Sequence, residues 1–186
     1  MVRTFVSVPL PASLVEAIHQ YQHPLQQYDA DVRWVSSDNL HITLKFLGDV
    51  DEARLPGMSF ALKAALASET SFSAAMEGSG TFPHSGAPRV VWVGLSQGGS
   101  RLTRLAHRVD TALAGLGFPA ETRPFRPHVT IGRVKTPRNI RPLLEAIEAD
   151  PFEGERFSVE SVHLMKSVLT PAGPQYSVLN SFKLRG

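Results

Sequence analysis

Runs in which apolar and polar residues alternate are interspersed with runs in which apolar residues recur every three or four positions, so strands and helices follow one another along the chain. Residues 2–9 (VRTFVSVP) read as a first strand. The Ser13–Glu16 spacing has the form of a capping box, opening a helix with Leu14, Val15 and Ile18 inward that ends or kinks at Pro24. A short strand near 32–35 comes next, then a longer one in NLHITLKFLG (39–48). Asp49 to Glu52 suits a helix start, and Leu55, Met58, Leu62, Ala65 and Leu66 form its apolar stripe. Residues 71–78 and 88–95 read as strands joined by GSGTFPHSGAP. A third helix follows Gly98 and Gly99 with Leu102, Leu105, Val109 and Leu113 in register. A strand is expected at about 125–134 and a helix at 139–149 with Ile140, Leu143, Leu144 and Ile147 inward. Strands near 155–169 and 175–184 close the chain around the turn TPAGPQ. Adjacent strands joined by short turns favour α+β with antiparallel or mixed sheets over a doubly wound parallel sheet.

Two of these strands carry polar groups that an ordinary half-buried strand does not need. In NLHITLKFLG the open face bears His41, Thr43 and Lys45; in RPHVTIGRVK the same pattern returns with His128 and Thr130. No short-period repeat is visible otherwise, so a strand bearing His-x-Thr in each half suggests two related lobes. Simple alternation puts Arg133 on the opposite face from His128, unless it reaches round from the strand end or Gly132 marks a bulge.

Composition narrows the chemistry. The 186 residues, 42% hydrophobic and 19% charged with Gly and Pro at 14 each, describe a globular chain with a substantial core. No apolar run approaches the roughly 20 residues needed to cross a bilayer, and the first apolar stretch is too short and interrupted for a signal peptide. With no cysteine there is no disulfide, thiolate metal site or cysteine nucleophile, which is compatible with a cytoplasmic setting. The net charge of +2 says little, but Arg123, Arg126, Arg133, Lys135, Arg138 and Arg141 fall in one segment with no acidic residue. Such a segment attracts phosphate.

Residues i and i+2 on a strand share a face roughly 6.5–7 Å apart. Two His-x-Thr strands facing each other would present two imidazoles and two hydroxyls to one centre. Phosphoryl chemistry can use this set: a neutral histidine takes a proton from water, a protonated one gives a proton to the departing oxygen, and hydroxyls with nearby cations hold the charged oxygens. Histidine, with an ordinary pKa of about 6.5, supplies either form near neutrality. The scheme requires no metal and no cofactor.

The flanking residues NLHITLKFLG and FRPHVTIGR resemble the 2H phosphoesterase superfamily, with the closer likeness to the RNA 2′,3′-cyclic phosphodiesterases, earlier described as 2′-5′ RNA ligases. FVSVPLP, RWVSSDNLHITLKFLG, PRVVWVGL and GPQYSVLNSFKL extend the likeness over most of the chain. The resemblance implies one bilobal α+β domain spanning residues 1–186, with an antiparallel sheet in each lobe, flanking helices and the histidines in the cleft between. It implies hydrolysis of an RNA 2′,3′-cyclic phosphate end to a 2′-phosphate, with 2′-5′ ligation as the reverse activity. His41 corresponds to the general acid toward the 3′ oxygen and His128 to the general base. Thr43, Thr130 and Arg133 correspond to phosphate- or nucleoside-binding positions. Lys45 and Arg126 are further candidates for the RNA backbone. Trp34 and Phe125 are candidates for stacking on a base, while Phe46, out of phase with His41, is expected in the core. The expected partner is cyclic-ended RNA, with no membrane and a monomer as the default state.

Rival readings fare less well. His19 and His23 are one helical turn apart, but no glutamate follows His19 and no third ligand is evident. His84 falls in the Gly/Pro-rich connection and can approach the cleft mouth; His107 and His163 read as ordinary helix and strand residues. Neither a nucleophile elbow nor a P-loop appears. The alternatives that remain are an RNA-end or nucleotide-binding module of the same fold, and a phosphodiesterase for small cyclic nucleotides.

Overall fold

A computed structural model describes residues 1–171 and 173–186. Nine strands and four helices alternate much as the hydrophobic pattern expects: β1 (Val2–Pro9), α1 (Ala12–Leu25), β2 (Val32–Trp34), β3 (His41–Val50), α2 (Leu55–Leu66), β4 (Phe72–Phe82), β5 (Val90–Gln97), α3 (Gly99–Ala114), β6 (Val129–Val134), α4 (Ile140–Ala149), β7 (Glu153–Val159), β8 (Ser161–Thr170) and β9 (Gly173–Lys183). The helices bury the stripes that their spacing marks: Met58, Leu62 and Leu66 on α2, Leu102, Leu105, Val109 and Leu113 on α3, and Leu143 and Ile147 on α4. Among the described residues, no helix is long and apolar enough to cross a membrane.

All strand pairs named here are antiparallel, in the order β7-β4-β5-β6-β3-β1-β8-β9. The expectation of two separate sheets is corrected: one nine-stranded sheet forms, and its halves meet at a single residue pair, Ile42 opposite Val129. Beyond that pair β3 leaves β6, and β2 takes its place beside β6 with Trp34 opposite Gly132 and Arg33 opposite Arg133. A gap therefore opens where β3 and β2 diverge. Helix α3 packs on β3 and α2 on α3, while α1 packs on β7 and α4 on β4. One hydrophobic cluster runs through both halves, from Val6 and Ile42 to Val91 and Ile131.

Several element boundaries differ from expectation for identifiable reasons. Helix α1 starts at Ala12 after Pro11, so Ser13 lies inside it and forms no cap, and Pro24 is accommodated in the last turn. The long strand expected at 155–169 divides at Glu160, because β7 pairs with β4 in one half and β8 with β1 in the other. Strand β4 runs on to Phe82 through residues expected in a loop; a Cβ at Gly80 would stand 2.7 Å from the Trp92 ring opposite, so glycine lets the pairing continue. Strand β6 begins only at Val129, leaving Phe125 to His128 outside it. Of the turn TPAGPQ, Ala172 lies outside the described residues; β8 and β9 pair up to Thr170 and Gly173.

Candidate active site

The junction of the two half-sheets organises the site. Ile42 and Val129 are both fully buried, so the side chains flanking them point to the opposite face. Continuing the antiparallel register by one residue each way sets His41 opposite Thr130 and Thr43 opposite His128. Each half-sheet thus contributes one His-x-Thr motif next to the Ile42–Val129 pair. In a regular ladder the two histidines lie on a diagonal, with Cα atoms about 8 Å apart.

Each ring is oriented by the same backbone device. The His41 Nδ1 lies 2.8 Å from the Asn39 carbonyl oxygen, and the His128 Nδ1 lies 2.7 Å from that of Arg126. A carbonyl only accepts, so Nδ1 carries the proton in both, and the lone pair of each neutral ring is on Nε2. The His41 Nε2 is 2.9 Å from the Thr43 hydroxyl. Phe5 stacks on the His41 ring at 4.8 Å, and Tyr176 meets it edge-on at 5.5 Å. Phe82 packs edge-on to His128 at 5.1 Å. Burial pushes His41 down to about 4; the Asn39 carbonyl opposes this, and the positive charges of Arg133 and His128 add to it. His128 is lowered as well, by burial first and then by Arg133, with the Arg126 carbonyl opposing. In the ligand-free protein both imidazoles are therefore neutral at pH 7.

Bulges follow each motif and decide which later residues reach the site. On β3, Ser7 pairs with Thr43 but Val6 pairs with Lys45, so Leu44 is the extra residue. The shift reverses the faces beyond it. Lys45, expected beside His41 as an RNA contact, is instead buried, with its ammonium paired to Asp110 and donating to the Pro119 carbonyl at 2.7 Å. Phe46, expected in the core, is 62% exposed and faces the cavity. On β6, Trp92 pairs with Thr130 and Val91 with Gly132, so Ile131 is the extra residue. Arg133 thereby returns to the side of Thr130, as the bulge alternative requires. Gly132 permits the close approach of β2: a Cβ there would lie 2.7 Å from Val32 Cγ1. Phe46 and Arg133 thus occupy corresponding places, five residues after their histidines.

A cavity of about 550 Å³ opens beside this ladder. Its wall includes His41, Thr43, Thr130 and Arg133, with Trp34, Phe46 and Tyr176 as aromatic surfaces. His128 does not line the enclosed volume; it stands on the Thr43 side of the ladder. Arg126 does not line it either; it is exposed, and its guanidinium donates to His84 Nε2 at 3.0 Å. His84 packs edge-on to Phe82 at 5.3 Å, which brings it near His128. Phe125 packs against the core and is absent from the cavity wall.

The basic segment is less uniform than its sequence suggests. Arg123, Arg138 and Arg141 pair with Glu121, Asp29 and Glu145. Of the six, Arg133 and Lys135 line the cavity. Residues that the sequence reading missed are Tyr176, Arg3 and Arg33, all on the cavity wall. Their signal is tertiary, since they come from β9, β1 and β2. His19 and His23 acquire no further ligand: among the described residues, no group of three or more His, Asp or Glu is placed to hold a metal ion.

Two imidazoles, one of them bonded to a hydroxyl, thus stand beside a cavity lined by basic residues. The family model of the 2'-5' RNA ligase superfamily matches residues 10–170, and the chain belongs to that family. It is 38% identical over 184 residues to the RNA 2',3'-cyclic phosphodiesterase of Methanothermobacter thermautotrophicus, covering 98% of this chain and 99% of that one. It is 37% identical over 185 residues to the protein of that name from Archaeoglobus fulgidus, covering 97% and 99%. The crystal structure of TT0787 from Thermus thermophilus superposes with a TM-score of 0.83 at 34% identity, over 99% of this chain and 98% of that one. LigT of E. coli in apo form gives 0.81 at 28% identity, over 100% and 98%.

Proposed function

We propose that the protein hydrolyses RNA 2′,3′-cyclic phosphate ends to 2′-phosphates, using two histidines and no metal ion or cofactor. The observation that best supports this reading is the Ile42–Val129 pair, which brings the two His-x-Thr segments side by side, with His41, Thr43, Thr130 and Arg133 on one cavity wall. The names of the full-length relatives support the same substrate. The two half-sheets act as the two lobes of the site, with the cleft where β3 and β2 part.

In this reading the cyclic phosphate lies between the two Nε2 atoms. His128 Nε2, carrying a lone pair because Nδ1 is tied to Arg126, accepts a proton from water as the water oxygen bonds to phosphorus. The bond from phosphorus to the 3′ oxygen breaks, and protonated His41 gives its Nε2 proton to that oxygen. The product is a 2′-phosphate with a 3′-hydroxyl. Thr43, Thr130 and Arg133 hold the non-bridging oxygens, on which negative charge gathers. The acid proton arrives with the substrate: an anion between the rings offsets the burial and the Arg133 field that keep His41 neutral when the site is free. Phe46 and Trp34 offer faces for the terminal base. Attack by a 5′-hydroxyl in place of water gives the 2′-5′ linkage, a minor outcome where water is abundant.

The test is incubation of an oligonucleotide ending in a 2′,3′-cyclic phosphate with the protein in excess chelator. The reading predicts a 2′-phosphate product, and at least a hundredfold loss of turnover in His41→Ala and in His128→Ala, roughly 10²–10⁴ being the usual worth of one acid or base. Binding without turnover would instead identify a module that recognises RNA ends. Unchanged turnover in either variant would remove the mechanism.

A further inference from the structure

The cavity carries more positive charge than one cyclic phosphate can use. Arg3, Arg33, Arg133 and Lys135 line it, no carboxylate does, and among the described residues none of the four joins an ion pair. A 2′,3′-cyclic phosphate brings a single negative charge. Arg133 is the cation whose field reaches both imidazoles, so it belongs with the reacting phosphate. Arg33 sits directly opposite Arg133 on the β2–β6 ladder, a like-charge pairing that opposes folding. Lys135 lies two residues beyond Arg133, just past the end of β6, roughly 7 Å further along the extended chain. Its backbone N–H is bonded to Asp31, and its side chain is left on the cavity wall. An anion over such a cluster relieves that repulsion. The cluster's displacement along the chain is comparable to the distance between successive phosphates of a nucleic acid strand.

Resting on the function proposed above, we propose that Arg33 and Lys135 form a second phosphate subsite. It holds the phosphodiester on the 5′ side of the terminal nucleoside, and so makes a chain of two or more nucleotides the preferred substrate over a cyclic mononucleotide. The nucleoside between the two phosphates then spans the cavity with its base against the aromatic wall. Arg3, on the other half-sheet, lies outside the subsite.

The experiment compares adenosine 2′,3′-cyclic phosphate with the same nucleotide bearing a 5′-phosphate, and reads the ratio of kcat/KM within each protein. The wild type should favour the 5′-phosphorylated substrate by about tenfold or more, as expected for a charge-assisted contact. In the double variant R33Q/K135Q the ratio should fall to about two or less, while Lys63→Gln on α2, which removes the same kind of charge elsewhere, should keep it. A wild-type ratio near one with the mononucleotide turning over would overturn the subsite and leave the function standing. So would a ratio preserved in the double variant, or one abolished by Arg3→Gln alone. Equilibrium binding gives a reading free of turnover: adenosine 2′,5′-bisphosphate should bind at least tenfold more tightly than adenosine 2′-phosphate, and lose that margin in R33Q/K135Q. If neither cyclic substrate is cleaved, the function fails, and this binding ratio still judges the subsite.

Discussion

Replacing Lys45 with methionine separates a structural lysine from a substrate-binding one. The ammonium is buried between β3 and α3, ion-paired to Asp110 and bonded to the Pro119 carbonyl. Met preserves most of the apolar stem but leaves that carbonyl and the carboxylate short of a donor. Breaking a fully buried pair costs about 3–5 kcal/mol. Here the Asp110 side chain is 19% exposed and keeps the Glu121 N–H, at 3.1 and 3.3 Å from its two oxygens, so the expected loss is about 2–3 kcal/mol. For a chain of this length, that corresponds to a melting temperature lower by roughly 4–12 °C. Thermal unfolding followed by circular dichroism measures it. The double variant K45M/D110L, with no stranded charge, should recover much of the difference. Well below the melting transition, kcat/KM on a cyclic-ended oligonucleotide should stay within about threefold of wild type, a loss of less than 1 kcal/mol of transition-state binding. A melting temperature unchanged to within about a degree, together with a tenfold or greater loss of kcat/KM, would place Lys45 on the substrate and refute the β3 bulge as the reason for its burial.

Other outcomes follow from the same geometry. Because both histidines are lowered in the free protein, His41 to about 4, both limbs of the kcat/KM bell should fall below pH 6.5. The kcat bell should sit higher, since bound anion raises both groups; a kcat/KM optimum above neutrality would contradict this. The depressed His41 value also means stability that is present above about pH 6.5 and lost as pH falls toward 4, of order 3 kcal/mol. His41→Asn should flatten that part of the stability profile, and a profile unaltered by the change would dismiss His41 as its source. Phe46→Ala should alter stability little, because the ring is 62% exposed, yet raise KM several-fold, which steady-state kinetics on a cyclic mononucleotide would show. Gly132→Ala should push β2 away, destabilise the fold by about 1–3 kcal/mol in urea unfolding and lower kcat/KM by displacing Arg133. With a substrate whose 3′ leaving oxygen is replaced by sulfur, which leaves without a proton, His41→Ala should regain most of its lost rate and His128→Ala should not. The opposite pattern would exchange the acid and base roles.

The His-x-Thr strands were legible because their information is local: period-two alternation around a buried centre is visible in five residues. Where alternation is interrupted, local reading assigns the wrong face. One extra residue at Leu44 sends Lys45 inward and Phe46 outward, and nothing within TLKF announces it. At Ile131 a glycine did mark the irregularity, which is why Arg133 could be anticipated with Gly132 as its cue. Pairing between distant segments was not readable. Residues 155–169 look like one strand because apolar residues alternate in both parts, at Phe157 and Val159 and again at Val162 and Leu164, yet they serve opposite halves of the sheet. Neutralisation of Arg123, Arg138 and Arg141 depends on carboxylates, and that of Arg138 on Asp29, which folding alone brings near. The cations that gather at the cavity come from β1, β2, β6 and the residue just after it, so their sum belongs to the tertiary structure.

A crystal structure of the protein with a nucleoside 2′-phosphate, the expected product, tests the shared-phosphorus arrangement most directly. The account predicts phosphate oxygens within about 3 Å of Nε2 of both His41 and His128, hydrogen-bonding distance, with Thr43 and Thr130 on the remaining oxygens. A phosphate seated against one imidazole with the other ring beyond reach would contradict it.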